Sequence, residues 1–259
     1  MKATGNTILI TGGGSGIGRS LAHRLHDLGN TVIVAGRRLD VLKQAIAGRT
    51  NMHEIELDVS TPDGIADFAQ RLIKSYPAVN VLFNNAGIMR TEALDRPRDL
   101  KDAEETIRTN LLGPIRLIDA LVQHLLAVPD PAIVNVSSGL AFVPLVSAPT
   151  YNATKAAIHS YTVSLREVLK GRIEVLELVP PAVQTGLTPG QETREGYLPL
   201  TEFVDDVMQL LARKVTPVEI LVERAKLLRN AEKEGRFDEM LTMLNPPVNR
   251  RARTSRSSG

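Results

Sequence analysis

The stretch Thr7-Ile8-Leu9-Ile10-Thr11-Gly12-Gly13-Gly14-Ser15-Gly16-Ile17-Gly18 decides the fold. Its first five residues form a short apolar, β-branched run, the pattern of a buried strand. A glycine-rich turn follows at once. Beyond it Leu21, Ala22, Leu25 and Leu28 recur at helical spacing, and Gly29-Asn30 supplies a stop signal. Strand, glycine turn and helix in that order make a phosphate cradle. Glycines let the backbone approach a pyrophosphate, and a helix N-terminus offers free N–H groups and partial positive charge. Gly12, Gly14, Ser15, Gly16, Ile17 and Gly18 are therefore candidate dinucleotide-binding residues.

A second strand, 31–35, ends in Gly36-Arg37-Arg38. A site for NAD would place an acid here to accept from the ribose hydroxyls. A glycine and two arginines suit a 2′-phosphate instead, because a guanidinium supplies both charge and paired donors. The expected cofactor is NADP(H), with NAD(H) as the alternative, and Arg37 and Arg38 are the expected phosphate contacts.

The alternation continues along the chain. Strands are expected at 53–57, 79–83, 132–136 and 173–179, and helices at 63–75, 99–126 and 151–169. Thr61 should cap the helix that Pro62 opens, and Pro114 should kink or break the long helix around Asn110. Repeated βα units with short connections imply a Rossmann-type, doubly wound parallel sheet in a single α/β domain. Ligands in such sheets sit beyond the carboxyl ends of the strands. Residues 12–18, Arg37, Asp58, residues 84–87, Ser137, Ser138 and Pro180 all follow strands and should share one rim.

Tyr151 and Lys155 stand at i and i+4 of a helical segment, one turn apart on one face. A free phenol is a poor base at neutral pH, and a neighbouring ammonium favours the phenolate. The pair is thus a candidate acid–base device, with its tyrosine expected to ionise below its free value.

Composition narrows the function. The chain has 259 residues, 43% of them hydrophobic, and no cysteine, which removes thiolate catalysis and cysteine-ligated metals. No apolar run reaches the ~18–20 residues of a membrane helix, and the first twenty residues do not read as a signal peptide. The expectation is a cytoplasmic protein with no membrane partner. A net charge of +2 argues against nucleic acid as the main partner. Arg250, Arg251, Arg253 and Arg256 concentrate the basic charge in a Ser/Arg-rich tail, 246–259, that reads as disordered.

Taken together, the sequence resembles the classical short-chain dehydrogenase/reductase family. The matching residues are Thr11-Gly12-(x)3-Gly16-x-Gly18, Asn84-Asn85-Ala86-Gly87, Asn110, Ser138 and Tyr151-x-x-x-Lys155, in family order, over about residues 5–200. Pro180-Pro181-Ala182-Val183-Gln184-Thr185 looks like the family's Pro-Gly-x-x-x-Thr segment beside the nicotinamide, with proline in the glycine position. The longer C-terminus resembles a subgroup linked to D-alanyl-lipoteichoic-acid operons.

The resemblance implies hydride transfer between nicotinamide and a secondary alcohol or carbonyl of a small molecule. Tyr151 would exchange the proton, Lys155 would tune it and hold the ribose, Ser138 would bond the substrate oxygen, and Asn110 would hold a water. Asp58 would accept from the adenine. Val59, Asn85, Ala86, Gly87, Pro181, Val183 and Thr185 would complete the cofactor site. Residues 186–202 fall where the family keeps its substrate lid, and 223–245 read as a small helical extension of a domain spanning 1–245. Leu140, Phe142, Val143 and Leu145 suggest a partly apolar substrate pocket. His124 and His159 read as ordinary helix residues without a ligand set, and no metal site is expected. The long helices match the surfaces through which the family forms a homodimer or homotetramer. A catalytically silent NADP(H)-binding sensor or scaffold is the alternative function.

Overall fold

In the computed structural model, which describes residues 1–247, the sheet grows outward from the strand that opens the chain. That strand, β1 (Thr7–Thr11), is flanked by β2 (Thr31–Gly36) and β4 (Val79–Asn84). The sheet continues through β3 (Met52–Glu56) on one side and β5 (Ala132–Val136), β6 (Glu174–Leu178) and β7 (Glu219–Ile220) on the other. All seven strands are parallel, in the order β3-β2-β1-β4-β5-β6-β7. The order reverses beside β1, between β1 and β4, which is where a doubly wound sheet opens a crevice.

The central strands are apolar on both faces because helices cover both. Ile8, Ile10, Val32, Val34, Val81, Phe83 and Val134 pack toward α1 (Gly16–Asp27) and α7 (Leu200–Leu211). Leu9, Ile33, Leu82 and Ile133 pack toward α3 (Pro62–Ser75) and α5 (Gly113–Ala127). Helix α2 (Leu39–Ile46) joins β2 to β3, and α4 (Lys101–Ile107) precedes α5. The long helix α6 (Pro149–Val168) carries the Tyr-Lys pair.

Two local expectations change in detail. Pro114 does not break the chain's helical path. A π-helical turn, Arg108–Leu112, takes up the disturbance ahead of it, and α5 resumes at Gly113. A proline lacks the N–H that would close the bond to the Asn110 carbonyl, so the extra residue is accommodated there. Thr61 does occupy the cap position of α3, but its hydroxyl donates to the Asp58 carbonyl at 3.2 Å and caps nothing.

The C-terminal part adds α8 (Glu223–Arg229) and α9 (Phe237–Leu244), so the helical extension expected over 223–245 is two short helices with a break between them. The basic tail lies, from residue 248 onward, outside the described residues. Among the described residues no helix is long and apolar enough to cross a membrane.

Candidate active site

The strand ends and the turns after them line one cavity of about 420 Å³. On the rim stand Gly12, Gly14, Ser15, Gly16 and Ile17 after β1, Arg37 and Arg38 after β2, and Asp58 and Val59 after β3. Asn85, Ala86 and Gly87 follow β4, Ser138 follows β5, and Pro181, Val183 and Thr185 follow β6, with Tyr151 and Lys155 from α6. The expected rim therefore assembles. Of the candidate residues, Gly18 and Asn110 do not line the cavity.

Gly18 lies behind the cradle and sets its spacing. A Cβ there would stand 2.4 Å from Asn85 Nδ2 and 2.5 Å from the Gly12 carbonyl oxygen. Gly12 has φ +66 and Gly16 φ +52, a region that L side chains rarely adopt. Thr11 ties this turn to the loop after β4. Its Oγ1 accepts from Asn85 N and Ala86 N, both at 3.0 Å, and Asn85 Nδ2 donates to the Thr11 carbonyl at 2.9 Å. Asn85 is thus first a clamp between two loops. Asn110 acts similarly: its Oδ1 accepts from Ile88 N at 2.9 Å and its Nδ2 donates to Ile88 O at 2.8 Å. That pins the loop beside Gly87.

The cradle fits an anionic group by its own chemistry. Ser15 sits at the N-cap of α1 without a side-chain capping bond, and no acid occupies the first turn of that helix. The helix's leading N–H groups and positive dipole end therefore face the cavity uncompensated. Farther along the rim Arg37 Nη1 stands 3.5 Å from Glu105, and Arg90 Nη2 stands 3.6 Å from the same carboxylate. Asp58 uses one oxygen, Oδ1, to accept from Ser60 N at 2.9 Å and Ser60 Oγ at 2.7 Å. This is a turn role, in addition to the adenine contact that the resemblance implies.

At the other end, α6 presents Tyr151 and Lys155 on one face, both buried. Lys155 Nζ donates to the Val136 carbonyl at 2.8 Å and stands 5.6 Å from the Tyr151 ring centroid. Ser138 Oγ accepts from Leu140 N at 3.1 Å, and its hydroxyl faces the Tyr151 phenol. The expectation that the phenol ionises below its free value is overturned. Burial pushes Tyr151 up to about 12, with the Ser138 hydroxyl pulling the other way. Burial also brings Lys155 down to about 8, opposed by Glu177. Removing both groups from water disfavours both charged forms.

Two further readings are corrected. None of Leu140, Phe142, Val143 and Leu145 lines the cavity. Val143 packs with Ala231 and Met240 of the C-terminal extension, and Leu228 covers Gly139. Residues of the 186–202 segment contribute instead. Gly186, Leu187 and Gln191 line the cavity, and α7 begins at Leu200, so the irregular part ends sooner than expected. Gln191 Nε2 fastens this loop by donating to Val183 O at 2.8 Å and Thr185 Oγ1 at 3.2 Å.

His159 is not an ordinary helix residue either. Its Nδ1 faces the buried Glu177 carboxylate at 2.8 and 3.0 Å, and its ring meets Phe142 edge-on at 4.8 Å. His159, Glu177 and Glu219 bring ligand-capable atoms within 4.8 Å of one another, but the Arg229 guanidinium engages both Glu219 oxygens at 2.7 Å. These partners lie 18 and 60 residues from His159 in the chain, beyond any local pattern. The one visible signal was an acid inside the apolar strand Glu174–Leu178.

A parallel sheet with a glycine cradle at its switch point and a Ser-Tyr-Lys cluster across the cavity defines a dinucleotide-dependent oxidoreductase class. The chain belongs to the short chain dehydrogenase family, whose profile matches residues 6–196, and it is a nicotinamide-dependent enzyme of that family. It is 38% identical over 256 residues to the uncharacterized oxidoreductase DltE of Bacillus subtilis, covering 96% of this chain and 100% of that one. Sulfoacetaldehyde reductase of Chromohalobacter salexigens is 33% identical over 186 residues, 70% of this chain and 74% of that one. Among solved structures, a short chain dehydrogenase from Burkholderia cenocepacia in complex with NADP superposes with a TM-score of 0.79. That match is 24% identical and covers 95% of this chain and 100% of the other.

Proposed function

We propose that the protein is an NADP(H)-dependent reductase or dehydrogenase acting on the carbonyl or secondary alcohol of a small molecule. The observation that carries this reading is the buried Ser138, Tyr151 and Lys155 cluster closing one end of a cavity whose other end holds the glycine cradle. Residues 12–18 hold the pyrophosphate, and Arg37 and Arg38, following Gly36, hold the 2′-phosphate. The bound nicotinamide supplies or accepts the hydride.

The side chains divide the remaining work. With its phenol up at about 12, Tyr151 is a proton donor at neutral pH, poised for the carbonyl-to-alcohol direction. Ser138, beside the Tyr151 phenol, donates its hydroxyl proton to the same substrate oxygen as negative charge builds there. The Lys155 ammonium stabilises the phenolate left behind and holds the nicotinamide ribose. Asn110, in the π-helical turn, holds a water between Lys155 and solvent. Residues 186–202 act as the lid over the substrate end, excluding water. The NADP complex of the Burkholderia protein agrees with the phosphate assignment.

A screen of carbonyl and polyol substrates, followed at the nicotinamide absorbance with NADPH and NADH in parallel, tests the reading. Turnover that prefers NADPH is expected. NADH preferred over NADPH would overturn the phosphate assignment, and binding without turnover on any substrate would favour the silent sensor.

A further inference from the structure

Four polar residues stand in register across four neighbouring strands: Asn84 opposite Asn135, Asn135 opposite Glu177, and Glu177 opposite Glu219. Residues opposite one another in a sheet share a face. This row therefore crosses the sheet on one side, close to the carboxyl ends of the strands. Helix α6 runs over it. Lys155, His159 and Thr162 fall at i, i+4 and i+7 of that helix, a single stripe. Each meets the sheet: Lys155 donates to the Val136 carbonyl, His159 Nδ1 faces Glu177, and Thr162 Oγ1 accepts from Asn135 Nδ2 at 2.9 Å. Asn84 Nδ2 in turn donates to Asn135 Oδ1 at 2.9 Å.

Glu177 is the anomaly in this row. Its side chain is fully buried on a strand whose neighbours Val175, Leu176, Leu178 and Val179 are all core residues. A carboxylate taken wholly out of water is costly unless charge and hydrogen bonds compensate it. The fold could fill the position with an apolar side chain at lower cost. What stands one helical turn from His159 on the same stripe is the Lys155 ammonium, itself buried.

We propose that Glu177, held by His159, is the buried counter-charge that keeps Lys155 protonated and in place beneath Tyr151, a positioning role resting on the Proposed function of Lys155. Glu177 opposes the fall of Lys155 toward about 8, which agrees with this geometry. Other charged groups stand on the Glu177 side of the pair. They are Glu219 on β7, Arg229 on α8, and Arg166 on α6. Glu219 is already neutralised by its two bonds to Arg229, so its charge is spent locally. Arg229 also lies over the Phe142 ring, 4.5 Å from its centroid, and Phe142 abuts His159. The C-terminal extension thereby fixes the ring against which the histidine is set.

The test uses the full-length protein with 13C at the lysine Cε, with Lys155→Arg identifying the resonance. Titration by NMR should give a Lys155 midpoint near the value of about 8 in the wild type. Glu177→Gln should lower that midpoint by about one pH unit or more, and Glu219→Gln should leave it unchanged. Equal midpoints in Glu177→Gln and wild type would overturn the proposal, as would an equal fall in Glu219→Gln. If Glu177→Gln does not fold, the wild-type Glu177 carboxyl resonance decides: an ionised side chain at pH 7 supports the proposal, a protonated one overturns it. These readouts need no turnover, so they stand or fall separately from the Tyr151 chemistry.

Discussion

Lys155 Nζ donates to the Val136 carbonyl at 2.8 Å while standing 5.6 Å from the centroid of the Tyr151 ring. The ammonium is anchored to the sheet, and the tyrosine is one helical turn away on the same face of α6. Burial of the phenol, which the lysine does not offset, keeps its value above the free one in this state. The pair is held ready, with the phenol protonated.

Tyr151→Phe removes one hydroxyl and little volume, so the fold should persist. With any substrate the screen finds, kcat should fall by roughly 10²–10⁴, while NADPH binding followed by fluorescence stays near that of the wild type. A variant that keeps most of its kcat would refute the proton-transfer role.

Arg37→Ala should raise KM for NADPH far more than KM for NADH. Arg37 is half exposed at the cavity rim, and its ion pair among the described residues is a 3.5 Å one with Glu105 that a 2′-phosphate can displace. Equal effects on the two cofactors would remove the NADP assignment.

The stability of the cofactor-free protein should depend on pH through both buried groups. Lys155 is lowered from 10.5 to about 8 on folding, so the unfolded chain binds more protons between those values. Stability from this group rises with pH across that window and is lost as pH falls through 8. Tyr151 is raised from 10.0 to about 12, so its contribution is present below pH 10 and lost as pH rises toward 12. Denaturant titrations of wild type and Lys155→Met should diverge between pH 8 and 10.5, the wild type gaining relative to the variant.

Gly18→Ala should cost about 1–3 kcal/mol of stability, because the new methyl would meet the Gly12 carbonyl at 2.5 Å and Asn85 Nδ2 at 2.4 Å. NADPH binding should weaken as the cradle and the loop after β4 are pushed apart. Thermal melts and cofactor titration check both effects, and an unchanged variant would show that the turn relaxes freely.

Sedimentation should show at least a dimer at micromolar concentration. On α6, Val163 and Val168 are 42% and 68% exposed, an apolar surface that a partner would cover. The C-terminal helices should stop assembly at the dimer. A monomer would refute the first statement and a tetramer the second.

The sequence by itself determined the alternation of strands and helices, the glycine cradle and the rim. Those features rest on local rules: side-chain period, turn residues, and glycines where the backbone must turn or approach closely. It also placed Tyr151 and Lys155 on one helical face, since i and i+4 are fixed by helix geometry alone. Tertiary structure decided everything that depended on what lies across the sheet. It buried Tyr151 and Lys155 together, which reversed the expected direction for the phenol. It turned Val143 toward Ala231 and Met240 rather than toward substrate. It also brought His159, Glu177, Glu219 and Arg229 together from β6, β7, α6 and α8. Desolvation and cross-strand register are non-local quantities, set only when distant segments pack, and no periodicity along the chain encodes them.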